Sequence, residues 1–288
     1  MTTSLLWIVL ATLAGGLLSV LIAAALTLSM LTLIVRHLVS LSAGVLLGTA
    51  LLNVLPEAFE QPGASPQALF AALLGGLIFF FLLEKAELYR HSHHHEGDDP
   101  HHHHHHGFDA EQAGRGGISV LVGDSIHNFC DGVLIAAAFL ADTRLGVVTA
   151  LAIIAHEIPQ EVGDYIVLLN AGLSRARALA YNAISGLAAV VGGVVGWFVI
   201  QPFQSWLPFL LVVASSSFVY VAVADLIPQL QRRLSLRHTV AQLLWFAAGL
   251  ALAAAAGLAH GLLGEGHEHG HAHPQAGAAR AAVVVSSR

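Results

Sequence analysis

Residues 5–32 read LLWIVLATLAGGLLSVLIAAALTLSMLT, an apolar run without one charged side chain. About 20 such residues, rising roughly 1.5 Å each as a helix, cross a hydrocarbon layer about 30 Å thick. Lipid offers the backbone no hydrogen-bond partner, so a run of this kind must be helical. Working outward, similar stretches recur at about 38–58, 67–88, 118–140, 146–169, 176–200, 207–229 and 240–263. The expectation is an all-α polytopic membrane protein of eight transmembrane helices embedded in a lipid bilayer. The first stretch has no basic segment ahead of it, its first Arg being Arg36 at the far end, so it is expected to be a retained span rather than a signal peptide.

The composition agrees and excludes other classes. Hydrophobic residues make up 56% of the chain and charged residues 10%, against roughly 45–50% and 25% in soluble domains. With Lys85 as its single Lys, the chain cannot form the G-x-x-x-x-G-K-[ST] loop that holds nucleotide phosphates. Cys130 stands alone, which excludes an internal disulfide, a Cys-x-x-Cys redox pair and a thiolate cage for zinc. A net charge of −6 gives no footprint for nucleic acid.

Orientation follows from Lys and Arg, which favour the cytoplasmic side. Arg36, Lys85, Arg90, Arg115, Arg175, Arg177, Arg232, Arg233 and Arg237 fall in or beside the loops after spans one, three, five and seven. Only Arg144, Arg280 and Arg288 fall on the other side. Both termini are therefore expected outside. Residues 1–90 would carry spans one to three, 91–116 a cytoplasmic loop, 117–263 spans four to eight, and 264–288 an outer, disordered tail.

Two segments are dominated by histidine: HSHHHEGDDPHHHHHH at 91–106 and HEHGHAH at 267–273. Imidazoles interspersed with carboxylates bind zinc-like metals without fixed geometry. The run His101 to His106 also has the form of an affinity tag, but it lies inside the chain and continues a His-rich context that begins at His91.

Spans four and five carry the chemistry. One reads Gly123-Asp124-Ser125-Ile126-His127-Asn128-Phe129-Cys130-Asp131-Gly132 and the other His156-Glu157-Ile158-Pro159-Gln160-Glu161-Val162-Gly163-Asp164. Residues four apart share a helix face, which pairs His127 with Asp131, His156 with Gln160 and Gln160 with Asp164, and Glu157 with Glu161. Asn128 lies beside the first pair. Pro159 has no amide hydrogen, so it frees the carbonyl of Ala155 and can bend the helix. Asp124, Asp131, Glu157, Glu161 and Asp164 place five acids at membrane depth, with no Lys or Arg inside either span to pair with them. Each unpaired charge costs about 2.5–3.5 kcal/mol on insertion scales. Either they are protonated and hydrogen-bonded between helices or a cation is the missing partner, and five together favour the cation. Carboxylate and amide oxygens with two imidazoles suit zinc and neighbouring first-row metals.

The sequence His127-Asn128-Phe129-x-Asp131-Gly132 followed by His156-Glu157-x-Pro159-x-Glu161-x-Gly163-Asp164 resembles the paired signatures of the ZIP (Zrt/Irt-like) divalent metal transporters, with the second motif most similar to the LIV-1 type branch. Eight spans, outward termini and a His-rich loop after span three match that family too. The resemblance implies a secondary transporter that moves a divalent cation, zinc or another such as Fe2+, Mn2+ or Cd2+, from outside into the cytosol. It implies a site of His127, Asn128, Asp131, His156, Glu157 and Gln160, with no prosthetic group and no enzymatic activity. It also implies a homodimer in the plasma membrane or a bacterial inner membrane, and an elevator-like motion of spans one, four, five and six against two, three, seven and eight.

The chain departs from the pattern in three places. Gln160 stands where the LIV-1 pattern usually has His. In span two, Asn53 stands where many relatives have His; it could offer its amide to metal or hydrogen-bond between helices. Span six offers Asn182 and Ser185 but no acid, which favours one tight metal over an obligatory pair. Glu161, Asp164, Asn53 and Asp124 are auxiliary metal candidates, Asp225 reads as an interfacial acid, and the glycines of Gly192-Gly193-x-x-Gly196 read as helix packing. Two other functions fit less well. An intramembrane zinc metalloprotease needs His-Glu-x-x-His, whose second His is Gln160 here, and a metal sensor without transport does not call for polar residues spread over two spans.

Overall fold

The computed structural model describes the backbone of residues 2–25, 28–92, 110–170, 172–231 and 235–268, and the side chains of 3–22, 24–25, 37–85, 121–170, 172–231 and 235–257. Among them there is helix and no strand. In order come α1 (Thr2–Ala25), α2 (Leu28–Thr49), a π-helical turn (Ala50–Val54), α3 (Leu55–Glu60), α4 (Pro66–Ser92), α5 (Ala110–Ala141), α6 (Thr143–Asn170) and α7 (Arg175–Ile200). A short 3-10 turn (Gln204–Trp206) then leads to α8 (Leu207–Tyr220), a second π turn (Val221–Leu226), α9 (Ile227–Gln231) and α10 (Leu236–Glu268).

Prolines explain the two π turns. Pro56 and Pro228 cannot donate to the carbonyl four residues back, and their rings crowd it. The residue ahead of each takes a five-residue step instead: Leu55 N–H donates to Ala50 O, and Ile227 N–H to Ala222 O. The chain widens for one turn and runs on as helix, so α2–α3 and α8–α9 each remain one rod.

Seven described segments are long and apolar enough to cross a membrane: Thr3–Ile22, His37–Glu60, Pro66–Lys85, Thr143–Asn170, Arg175–Ile200, Gln204–Gln231 and Leu236–Gly257. Helix α5, the expected fourth span, is 32 residues long, but Asp124, His127, Asn128 and Asp131 dilute its apolar character. Boundaries also shift. Residues 28–32, assigned above to the first span, open α2, because the apolar run from 5 to 35 contains no drop in hydropathy to separate the two helices. Residues 91–92 and 110–116 of the expected loop are helical, as are 264–268 of the expected tail. The rest of the two His-rich segments, 93–106 and 269–273, lies outside the described residues.

Packing divides the helices into two groups. Helices α1, α5, α6 and α7 pack on one another, while α10 lies along α2 and α4 along α8. The groups meet chiefly where α2 crosses α6. Glycine makes two of the contacts possible. A Cβ on Gly132 of α5 would stand 1.9 Å from Ala189 O of α7, and one on Gly192 would stand 2.0 Å from Phe129 O. The α2–α10 seam repeats the device: a Cβ on Gly44 would lie 2.1 Å from Phe246 O, and one on Gly249 would lie 2.3 Å from Leu41 O. Without side chains there, the backbones touch and dispersion contacts accumulate along both seams. Ile8, Leu46, Val54, Leu211, Val212 and Phe218 are fully buried, while Leu74, Ile78, Phe198 and Leu244 are exposed on the outer surface, where lipid would cover them.

A single residue separates α5 from α6. Asp142 Oδ1 accepts from Arg144 N at 2.8 Å and from Leu145 N at 3.1 Å, capping the start of α6. The two helices therefore return antiparallel. Asp131 lies eleven residues before this turn and His156 fourteen after it, or about 16–21 Å of helix at ~1.5 Å per residue. Both arrive near the same depth.

Gly132→Ala should destabilise the protein by about 1–3 kcal/mol, the usual cost of overpacking, because its methyl meets backbone. Gly75 has open space around it, so Gly75→Ala should be neutral or slightly stabilising, Ala being the better helix former. Thermal unfolding in detergent by circular dichroism compares the two; equal melting temperatures would contradict the role of the seam.

Candidate metal centre

The α5–α6 hairpin brings together four side chains that sequence spacing could only place on two separate faces. His127 and Asp131 come from α5, and His156 and Glu157 from α6. His156 Nε2 lies 3.1 Å from Asp131 Oδ2 and 3.7 Å from Glu157 Oε1. His127 Nε2 lies 3.2 Å from His156 Nε2 and 3.7 Å from both Asp131 Oδ2 and Glu157 Oε1. The two rings meet edge to face. One atom from each residue can therefore bind the same ion. Asp131, His156 and Glu157 are buried and His127 is half-buried.

The hydrogen bonds leave the two carboxylates without donors. His156 Nδ1 lies 3.3 Å from Ala152 O, one turn back on its own helix. That contact assigns the ring hydrogen to Nδ1 and turns the Nε2 lone pair toward Asp131 and Glu157. Both oxygens of Asp131 and both of Glu157 are buried without a hydrogen-bond partner. Lone pairs facing lone pairs at 3–4 Å repel. Either a proton on an imidazole or a cation held among the four relieves the repulsion. Two imidazoles and two carboxylates form a donor set suited to tetrahedral zinc.

The other predicted residues divide by position. Asn128 and Gln160 turn their amide nitrogens to Asp124: Asn128 Nδ2 donates to Oδ1 at 3.0 Å and Gln160 Nε2 to the same oxygen at 3.2 Å. Asp124, Glu157 and Glu161 form a second group with carboxylate oxygens near enough to share an ion, and Glu157 belongs to both groups. Asp164 is half-buried one turn beyond Gln160 and belongs to neither. Asn53 is used elsewhere. Its Nδ2 donates to Ala253 O of α10 at 3.1 Å, the helix-to-helix bond that was one of its two readings. Asp225 is exposed and accepts from Gln229 at 2.9 Å.

Three supporting side chains complete the surroundings. Asn182 Nδ2 donates to Glu161 O at 2.9 Å and Ser185 Oγ to Asp124 Oδ2 at 2.5 Å, tying α7 to α6 and α5. On α6, Pro159 leaves the Ala155 carbonyl without its helical donor, and Ser42 Oγ of α2 donates to it. Sequence reading missed Ser42. Its one signal was indirect: a carbonyl freed by Pro159 in a buried helix needs a donor from somewhere.

A family model described as ZIP Zinc transporter matches residues 84–257, more than half of the chain and the whole of the hairpin. The chain belongs to the ZIP family. Its relatives include Zinc transporter ZIP10 of Danio rerio, 41% identical over 111 residues, or 38% of this chain and 13% of that protein. Human Zinc transporter ZIP10 is 38% identical over 126 residues, covering 43% of this chain and 15% of that one. Human Zinc transporter ZIP4 is 40% identical over 111 residues, covering 38% and 17%. The matched stretch thus spans under a fifth of the length of these relatives. The family and its LIV-1 branch agree with the motif resemblance, and ZIP membership together with the helices makes the chain a multi-pass membrane protein.

Ser42→Ala should leave the Ala155 carbonyl buried without its donor, at a cost of about 1–3 kcal/mol. Adding Pro159→Ala restores a helical amide to that carbonyl and should recover part of the loss. Melting temperatures of the two single variants and the double variant check this; strictly additive effects would show that Ser42 and Pro159 are not coupled.

Proposed function

We propose that this protein is a secondary transporter that carries a divalent cation, zinc foremost, from outside into the cytosol through the centre on α5 and α6. The observation that carries the reading is the convergence of four donor atoms from His127, Asp131, His156 and Glu157, with no hydrogen-bond donor on either carboxylate. A buried ring of acceptors costs energy unless a cation completes it, and transport requires such a site inside the membrane. Membership in a family of zinc transporters supports the same substrate. Fe2+, Mn2+ and Cd2+ remain within the chemistry of this donor set.

In this reading α5 is the eighth crossing, both termini lie outside and the His-rich segment is cytosolic, in keeping with where Lys and Arg fall. The separate packing of α1, α5, α6 and α7 supports an elevator-like shift of that group against the other. A homodimer in a plasma or bacterial inner membrane completes the proposal. Proteolysis is disfavoured because Gln160 replaces the second His of His-Glu-x-x-His and directs its amide to Asp124.

Asp131→Ala and His156→Ala should each reduce zinc uptake into proteoliposomes by at least about a hundredfold, the size of effect produced by losing a ligand or its support. Insertion should be unchanged. Near-normal uptake by both variants would remove the centre from the pathway. Deleting 91–106 should leave uptake intact, because those imidazoles would lie beyond the membrane path. A deletion variant that inserts normally but carries no zinc would place an essential ligand in that segment.

A further inference from the structure

We infer that Asp124 is a specificity-determining positioning residue, which holds two amide side chains so that their oxygens, not their N–H groups, are free for a metal at the neighbouring centre. The inference rests on the transport reading above. Asp124 lies one turn before Asn128 on α5 and is 4% exposed. A carboxyl oxygen that carries no hydrogen can only accept hydrogen bonds, so any amide that reaches it must present its NH2 group. Two do so on one oxygen: Asn128 Nδ2 at 3.0 Å and Gln160 Nε2 at 3.2 Å from Oδ1. Asn128 Nδ2 also lies 3.1 Å from the Asp124 main-chain oxygen, which fixes it further. The second carboxylate oxygen is held from α7, where Ser185 Oγ lies 2.5 Å from Oδ2 and 3.0 Å from Asn182 O. Helices α5, α6 and α7 thus converge on one buried carboxylate.

The nitrogen and oxygen of an amide occupy opposite arms of a planar group. With both nitrogens turned to Asp124, the oxygens of Asn128 and Gln160 lie on the arms facing away from that carboxylate. The neighbourhood is that of the metal centre. Asn128 follows His127 directly, Gln160 lies one turn beyond His156, and a Glu157 oxygen stands within 4.8 Å of an Asp124 oxygen. The four-atom set from His127, Asp131, His156 and Glu157 suits tetrahedral zinc, while two further oxygens would bring the set to six, the number that harder ions such as manganese prefer. Asp124 therefore broadens the range of metals the centre accepts, without itself binding one. In Asp124→Asn the new side chain has a donor of its own, so the Gln160 amide can turn round and an N–H arm can face the metal, while Asn128 keeps its main-chain acceptor.

The test is zinc uptake by the full chain in liposomes, with manganese as competitor. Asp124→Asn should raise the manganese-to-zinc ratio needed for half-inhibition by about tenfold, the scale of one hydrogen bond to a charged group. In a Gln160→Ala background the same substitution should move that ratio less than about twofold, because one of the positioned amides is gone. Asp124→Ser, which also removes the charge, serves if Asp124→Asn does not insert. A shift of equal size in both backgrounds, or an inserted variant with no shift, would overturn the inference. A parent protein that takes up no metal would overturn the transport reading instead. In that case the same variants are compared by competitive zinc and manganese binding in detergent, where the His-rich segments are common to all and cancel. An unchanged preference there would overturn the positioning role as well.

Discussion

Lone pairs face lone pairs at the centre of the α5–α6 hairpin, and the rest of the structure bears on that constraint. Asp131 and Glu157 are buried with no hydrogen-bond donor on any of their four oxygens. The nearest nitrogens are Nε2 of His127 and His156, and the His156 ring, with its hydrogen on Nδ1, turns a lone pair toward them. In water such a cluster would spread apart or be solvated. Between helices in a membrane neither escape is open, because leaving the site means entering lipid at a cost of kilocalories per charge. Positive charge inside the cluster relieves the repulsion, whether a proton or a cation brings it.

The surroundings keep the cluster from collapsing. A one-residue turn capped by Asp142 fixes the register of the hairpin, so the two motifs meet at one depth. Gly132, the last residue of the first motif, lets the α7 backbone come into contact with α5, and Gly192 returns the contact from the other side. That close approach puts Asn182 and Ser185 within reach of Glu161 and Asp124. Pro159 opens the α6 backbone one residue before His156, and Ser42 closes it from α2. None of these residues needs to touch a metal. Each removes a freedom that would let the carboxylates swing apart or find protein donors of their own.

Much of this was legible in the sequence, and what was not has a physical reason. Apolar runs of about 20 residues announce helices because lipid permits nothing else, and charged residues among them announce a site because lipid tolerates them nowhere else. Four-residue spacing correctly paired His127 with Asp131. It could not show that Asn128 and Gln160 direct their nitrogens to Asp124, because a side-chain torsion has no signature in spacing. Hydropathy could not separate α1 from α2, since apolar residues run on from one helix into the other. The partner of Asn53 on α10 lies 200 residues away, beyond the reach of any local pattern.

The two helix groups meet at a seam with an unusual chemical character. Other hydrogen bonds from a side chain to a main-chain carbonyl, such as Asn53 to Ala253 O and Asn182 to Glu161 O, join helices within one group. Where α2 crosses α6 the contact includes a hydrogen bond to a main-chain carbonyl that Pro159 has deprived of its own donor. A helix without that proline would satisfy Ala155 internally and would not depend on α2 there. The proline thus makes the helix that carries His156 and Glu157 rely on its neighbour at the residue before the ligands. Any displacement of α6 along α2 must break that bond and find the carbonyl another donor, so the geometry of the His127, Asp131, His156 and Glu157 cluster and the relative position of the two groups are linked through one main-chain atom.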